Sequence, residues 1–258
     1  MRTEVVKRFA LAILLCTGIV AQSATARAAC ESFGESLWVQ VDGDEGSGTG
    51  GTGFGGGFGG DEGSGTGGTG ILGTITGFGS ICVNGLQVQY DGATPVEREG
   101  REVDAADLAV GHVVRITAGT GARLVAEHIA IESALSGPVT RIDPAGNRIW
   151  VMEQPVELSD DMPIFDRVAR RAAELQSIGA GQRVDVSGQR RGDGVVIATR
   201  LEVRAGSGPD SATGVASSAT AGTVYVGDLR VSLSSGVGGP AGGHRVVVRG
   251  RWHANTHT

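Results

Sequence analysis

The side chains best suited to chemistry in this sequence are arginines. Residues 134–206 carry ten, at positions 141, 148, 167, 170, 171, 183, 190, 191, 200 and 204, balanced by ten acids. Arg190 and Arg191 fall in a predicted hairpin loop, a place where small barrels make ligand contacts. A guanidinium is a planar fork of N–H donors that fits carboxylate, sulfate or phosphate oxygens two at a time. With Arg183 on the same predicted strand and Trp150 as an aromatic platform, these residues form a candidate site for an anionic oligosaccharide or polymer. The competing reading is a solvated, arginine-rich face that binds nothing.

Other constellations are weaker. Asp160-Asp161 is a carboxylate pair in a predicted turn, where adjacent acids serve solubility and turn chemistry. No Gly-x-Ser-x-Gly is present and no cysteine sits in a protease-like context, so hydrolysis is the least supported activity and no catalytic residue is assigned. His112 and His244 occupy matching positions just after a Gly that enters a strand, which points to a turn role; His253 and His257 sit four apart near the end of the sequence, and His128 alternates with Ile129 on a strand. None has structural-zinc spacing with a cysteine, so no metal site and no cofactor are expected. Two Gly-x-Gly-x-x-Gly matches, at Gly48/Gly50/Gly53 and Gly65/Gly67/Gly70, lack the preceding strand and following helix that would place a phosphate. The only lysine is Lys7, which rules out a P-loop lysine beyond the leader. Gly56-Gly57-Phe58-Gly59-Gly60-Asp61 begins like a calcium-binding nonapeptide but is not stacked in repeats, so Asp42, Asp44, Glu45, Asp61 and Glu62 read as a solvated acidic linker.

Composition sets the frame for these candidates. The 258 residues include 45 glycines and only 4% aromatics, with 22 basic against 28 acidic side chains, a formal charge of −6. An acidic balance argues against general nucleic-acid binding, whose electrostatic footprint is basic. Residues 1–28 read as a secretory signal, with Arg2, Lys7 and Arg8 before an apolar run and a small-residue cleavage site after it. That run is too short to span a bilayer and no later one approaches the required length, so no transmembrane segment is expected beyond the leader. Export to a periplasmic or extracellular compartment leaves Cys30 and Cys82. They read as a disulfide, as a lipid-modified Cys30, or as two free thiols. Arg27, three residues before Cys30, disfavours the lipid reading.

Two glycine populations follow. The word GDEGSGTGGTG occurs at 43–53 and again at 60–70, and residues 29–70 read as a short apolar segment followed by a Gly-rich linker. The apolar segment, residues 31–42, carries Phe33, Leu37, Trp38, Val39 and Val41 and reads as a short strand or docking peptide. Beyond it the glycines punctuate strands. Gly111-His-Val-Val-Arg-Ile, Gly181-Gln-Arg-Val-Asp-Val and Gly243-His-Arg-Val-Val-Val repeat a turn and a half-buried strand of period two. The first two copies continue into another strand, Ala126–Ile131 and Ala198–Val203; the third reaches residue 258 without one. The units are a first β-domain at 71–133, a second at 134–206 and a partial repeat at 207–258. Each is read as five strands with one short helix before the fourth, the helix in the second copy spanning Ile164–Leu175 with Asp166 as N-cap. The expected fold is all-β: tandem small, partly open barrels of the oligonucleotide/oligosaccharide-binding (OB) type, or a β-sandwich of paired repeats.

The stretch GTGILGTITGFGSICVNGLQVQYDGAT, with LAVGHVVRI downstream and IGAGQRVDVSGQRRGDGVVIATRLEV in the second copy, resembles the bacterial domain of unknown function family 5666 in tandem copies. The resemblance implies export, a Gly-rich lead-in and repeated small β-domains, and supplies no catalytic residue. The functional expectation is an exported, non-enzymatic interaction module with an envelope polymer or protein as partner, and as an alternative the anionic-polymer site at Arg190, Arg191, Arg183 and Trp150.

Overall fold

The computed structural model describes Cys30 and residues 69–119, 123–206, 208–220, 222–240 and 242–254. The leader, the 31–42 segment expected as a short strand or docking peptide, and the Gly-rich words as far as Gly68, with their Asp and Glu side chains, lie outside these residues, as does His257; Thr69 and Gly70, which end the second word, open the first strand.

The first repeat contains β1 (Thr69–Gly77), β2 (Ile81–Val83), β3 (Leu86–Gln89), β4 (Val96–Arg98), β5 (Arg101–Val103), β6 (Val113–Ala118) and β7 (Leu124–Glu132). Strands β3, β2, β1, β6 and β7 pair antiparallel in that order, and β3 closes the ring by pairing parallel with β7 through Val88 and Leu124. This is a closed five-stranded barrel of OB connectivity. Alternation along each strand sends Ile75, Val83, Val88, Val114, Ile116 and Ile129 inward, all with no exposed surface.

The second repeat, β8 (Leu135–Asp143), β9 (Arg148–Val151), β10 (Gln154–Glu157), β11 (Ile164–Asp166), β12 (Arg171–Ala172), β13 (Arg183–Arg190) and β14 (Val196–Arg204), repeats every pairing, including the parallel closure of β10 on β14. The third contributes β15 (Asp210–Thr220), β16 (Thr223–Val226), β17 (Leu229–Ser232) and β18 (Arg245–Gly250). Its β15 pairs with β16, with β18 and, through Ser211 and Ala212, with β8 of the second barrel. Among the described residues, β17 and β18 each have one strand neighbour.

Two glycine positions recur for a steric reason. Gly111, Gly181 and Gly243 have φ of +90°, +86° and +86°. In each copy this glycine donates its N–H to a first-strand carbonyl (Ile75, Val139, Ala216), and the same first-strand residue donates back to the carbonyl that follows the glycine. Gly73, Gly137 and Gly214 pair with Val114, Val184 and Val246, and a Cβ on any of them would strike Asn84, Met152 or Val226 of the adjoining hairpin.

Three expectations change. The barrels are closed rather than partly open, because β3–β7 and β10–β14 complete the ring, and no paired-repeat sandwich forms. The helix expected over Ile164–Leu175 is the β11–β12 hairpin, since β14 offers a free edge to Ile164–Asp166 beyond its pairing with β10. Asp166 does cap amides, accepting from Val168 and Ala169 at 2.8 and 2.9 Å, but Arg170 at φ +55° turns the chain back before a helix can propagate. What remains before each fourth strand is one 3₁₀ turn, Ala105–Asp107 and Leu175–Ser177.

The structure joins Cys30 to Cys82 in a disulfide, with Cα atoms 5.5 Å apart.

Candidate functional site

Two groups of arginines stand out in the second repeat. One group is buried where the barrels meet. Glu202 accepts from Arg98 of the first barrel, from Arg200 at 2.7 Å and from His112 Nε2 at 3.1 Å. His112 Nδ1 accepts the Ala109 amide at 3.0 Å, which leaves the ring hydrogen on Nε2, facing Glu202. Gln182 makes the matching bond in the second barrel, its Oε1 accepting the Gly179 amide at 2.7 Å. Burial keeps the His112 pKa below its ordinary value and so keeps the ring neutral. Burial also opposes ionisation of Glu202, but the His112 hydrogen bond and the Arg98 charge outweigh it and hold the carboxyl well below the usual range. Beside this cluster Asp185 takes a hydrogen bond from Ser136 at 2.5 Å, with Arg204 Nε at 2.9 Å and Arg167 at 3.1 Å; desolvation raises its pKa despite these partners. Glu202, Arg98 and His112 tie the two barrels together, and the Asp185 set packs beside them within the second barrel. They are not a solvated face.

The other group surrounds a cavity of about 590 Å³ walled by all three repeats. Its floor is the end of β13 and the loop Arg191-Gly192-Asp193-Gly194; its sides are β15, the β16–β17 turn at Gly227-Asp228, Leu72 and Arg245. Arg191 is spent locally: it grips Asp193 with Nε and Nη2, at 2.9 and 2.6 Å, and reaches Glu157 at 3.1 Å. These bonds push its own pKa up and pull those of Asp193 and Glu157 down. Arg245 pairs with Glu132 at 3.1 Å.

Arg190 differs. Its Nη1 donates to Gln154 Oε1 at 3.0 Å and to the Gly194 carbonyl at 2.6 Å, while Nε and Nη2 are buried with no hydrogen-bond partner. No other arginine among the described residues has two such donors. Nε and Nη2 form the side-on edge of the guanidinium, the edge that grips two oxygens of one anion. Desolvation lowers the Arg190 pKa against the pull of Asp228, so the charge here is costly and under-compensated. Gly214 and Gly227 make room for it: a Cβ at Gly214 would stand 3.3 Å from Nε, and one at Gly227 2.8 Å from Nη1.

Of the four site residues expected from sequence, the structure places Arg190 and Arg191 at this cavity. Arg183 lies at the far end of β13, bound to Asp210 and the Gly208 carbonyl. Trp150 lies on β9 under Arg141, whose guanidinium carbon stands 3.4 Å from the ring centroid, and lines neither this cavity nor a second, smaller one beside β17 and β18. Sequence reasoning missed Gln154, Asp228 and Arg245; only Arg245 carries a signal, as the third-copy counterpart of Arg183. Asp160 and Asp161 are exposed in a turn, and Asp160 accepts from Asn147. His253 lines the second cavity, while His244 is exposed and His128 faces Glu97 at 3.7 Å. Among the described residues no cluster of three or more His, Cys, Asp or Glu could hold a metal, and no helix is long and apolar enough to cross a membrane.

Fold and junction together define a class: tandem closed OB-type barrels locked by a buried ion cluster. The description "domain of unknown function (DUF5666)" matches residues 69–130 and 136–202, the two closed barrels, and the chain belongs to this family. Searches of curated proteins and of solved structures returned no match.

Proposed function

We propose that the protein is an exported, non-enzymatic binding module that holds a carboxylate or sulfate of an anionic oligosaccharide in the cavity beside Arg190. The observation that carries this reading is the Arg190 side-on edge, two buried donors without a partner at the wall of a cavity whose size suits a small ligand. A buried unpaired donor is costly, and a bound anion removes that cost while adding charge-assisted hydrogen bonds. Nε and Nη2 are covered in this conformation, with Gly214 beside Nε, so uptake requires the wall of the cavity around Arg190 to open.

Calorimetric titration with a uronate-rich oligosaccharide tests the proposal. Wild-type binding should weaken as salt rises. Arg190→Met should weaken it about tenfold or more, the loss expected for a charged hydrogen-bonding group. Trp150→Ala should leave it unchanged. Failure to bind, indifference to salt, or an unaltered Arg190→Met variant would each overturn the reading.

A further inference from the structure

The third repeat has a place for a strand that none of the described residues fills. In both closed barrels the fifth strand runs antiparallel to the fourth and parallel to the third: β7 on β6 and β3, β14 on β13 and β10. The corresponding strands β18 and β17 face each other across an open groove, a cavity of about 280 Å³ lined in part by Met152, Leu229, Val231, Val248 and Trp252. A strand laid there would satisfy two rows of backbone groups and cover half-buried valines, the physics of β-strand addition.

The sequence contains a segment with the right pattern. The fifth strands of the closed barrels point Ala126, Ile129 and Ile131, or Ala198, Leu201 and Val203, into their cores. Residues 36–41 read Ser-Leu-Trp-Val-Gln-Val, placing Ser36, Val39 and Val41 at the same spacing of a small residue, an aliphatic three later and a β-branched residue two beyond that.

Where this segment is tied matches the direction the groove demands. A strand antiparallel to β18 must begin beside Gly250 and finish beside Arg245. Leu72 on β1 lines the same cavity as Arg245, so Thr69 lies toward the finishing end. Farther along β1, Ile75 bonds His112, whose neighbour Arg98 leads into Glu99; Glu99 accepts from Ser211, and Ser211 pairs with Arg249. Cys82, paired with Gly77 just past Ile75, therefore lies toward the starting end, and it carries Cys30. From Cys30 to Ser36 the chain can reach about 20 Å, and the 27 residues between Val41 and Thr69 reach much farther.

We propose that residues 36–41 of the same chain dock into the third repeat as its fifth strand, so that a segment tied to the first barrel through Cys30 completes the last. By analogy with the pairing of Val203 with Val184 and of Glu202 with Asp185 in the second barrel, Val41 then sits opposite Val246, and Gln40 opposite Val247 on the outer face.

Cysteine cross-linking in the full chain tests this. Opposed strand residues are close enough for a disulfide. Gln40→Cys with Val247→Cys should form a 40–247 link within one chain on mild oxidation, at a yield independent of protein concentration, while the out-of-register pair Ser36→Cys with Val247→Cys should not. No link, a link only between chains, or equal yield from both pairs overturns the proposal. Val41→Asp supplies a second measurement, since it leaves the described barrels untouched. It should speed amide exchange in 229–232 and 245–250 but not in 183–190, and unchanged exchange in 229–232 and 245–250 would also overturn it.

Discussion

β13 and β18 are nearly the same strand in two settings. Both follow a glycine of positive φ, and both read Arg-Val-x-Val. In β13, flanked by β8 and β14, Val184 and Val186 have no exposed surface. In β18, flanked by β15 alone among the described residues, the matching Val246 and Val248 are only half-buried and Val247 is 42% exposed. Local sequence therefore chooses the strand and its inward face, whereas a partner distant in sequence decides how much that face stabilises the fold.

Three experiments probe the contrast, beginning with the largest effect. Glu202→Gln leaves Arg98 and Arg200 buried without their anion at the junction of the closed barrels, and should cost about 3–5 kcal/mol in chemical denaturation, the range for breaking a buried ion pair. Glu132→Gln releases the more exposed Arg245 and Arg115 and should cost no more than about 1 kcal/mol. If the two variants unfold alike, the junction is not the stronger lock.

Next, Leu201→Ala in the fifth strand of the second barrel should cost about 2–5 kcal/mol, because a fully buried leucine leaves a cavity. Val248→Ala should cost about 1 kcal/mol or less when Val41→Asp keeps the groove open, and more when residues 36–41 fill it. A loss at Val248 approaching that at Leu201 would show the groove to be filled, which sharpens the strand-docking proposal.

The smallest effect is on pH dependence. Burial depresses the His112 pKa below about 6.5, so the unfolded chain takes up a proton near that pH while the folded protein does not. The His112 contribution is thus complete above about pH 6.5 and is lost as pH falls below it. Glu202, also depressed, adds a loss of the same sign below the ordinary glutamate range; Asp185, raised by burial, acts in the opposite sense. Equilibrium denaturation between pH 7.5 and about 5.5 should show the His112 slope. His112→Gln, which imitates Gln182 in the sister barrel, should flatten it.

What could be read from the residues follows the reach of each interaction. Gly111, Gly181 and Gly243 announce their turns because a positive φ and a period-two pattern are local properties. The Ile164–Leu175 segment misleads because its helix-forming composition yields to an edge on β14 some 37 positions away in sequence, the separation of Ile164 from Leu201. Closure by β3–β7 and β10–β14 is likewise long-range. At the site, adjacency in a hairpin marked Arg190 and Arg191, but that Arg190 lacks partners while Arg191 is saturated depends on Gln154, Asp193 and Glu157, whose placement no spacing rule provides. Arg183 and Trp150 were removed from the site by Asp210 and Arg141, partners equally invisible in sequence.

The Cys30–Cys82 bond changes what the glycine-rich stretch can be. With one end bonded to β2 and the other continuing into β1, residues 31–68 form a covalent ring on the first barrel rather than a spacer in front of it. Anything attached ahead of Cys30 is consequently held at the barrel surface, at no added reach from the many residues that follow. A protease that cut once inside the ring would release no fragment until the disulfide was reduced. Closing a loop of 52 residues also removes freedom from the unfolded chain, worth about 4 kcal/mol on the chain-entropy account, so reduction should loosen the first barrel as well as open the ring.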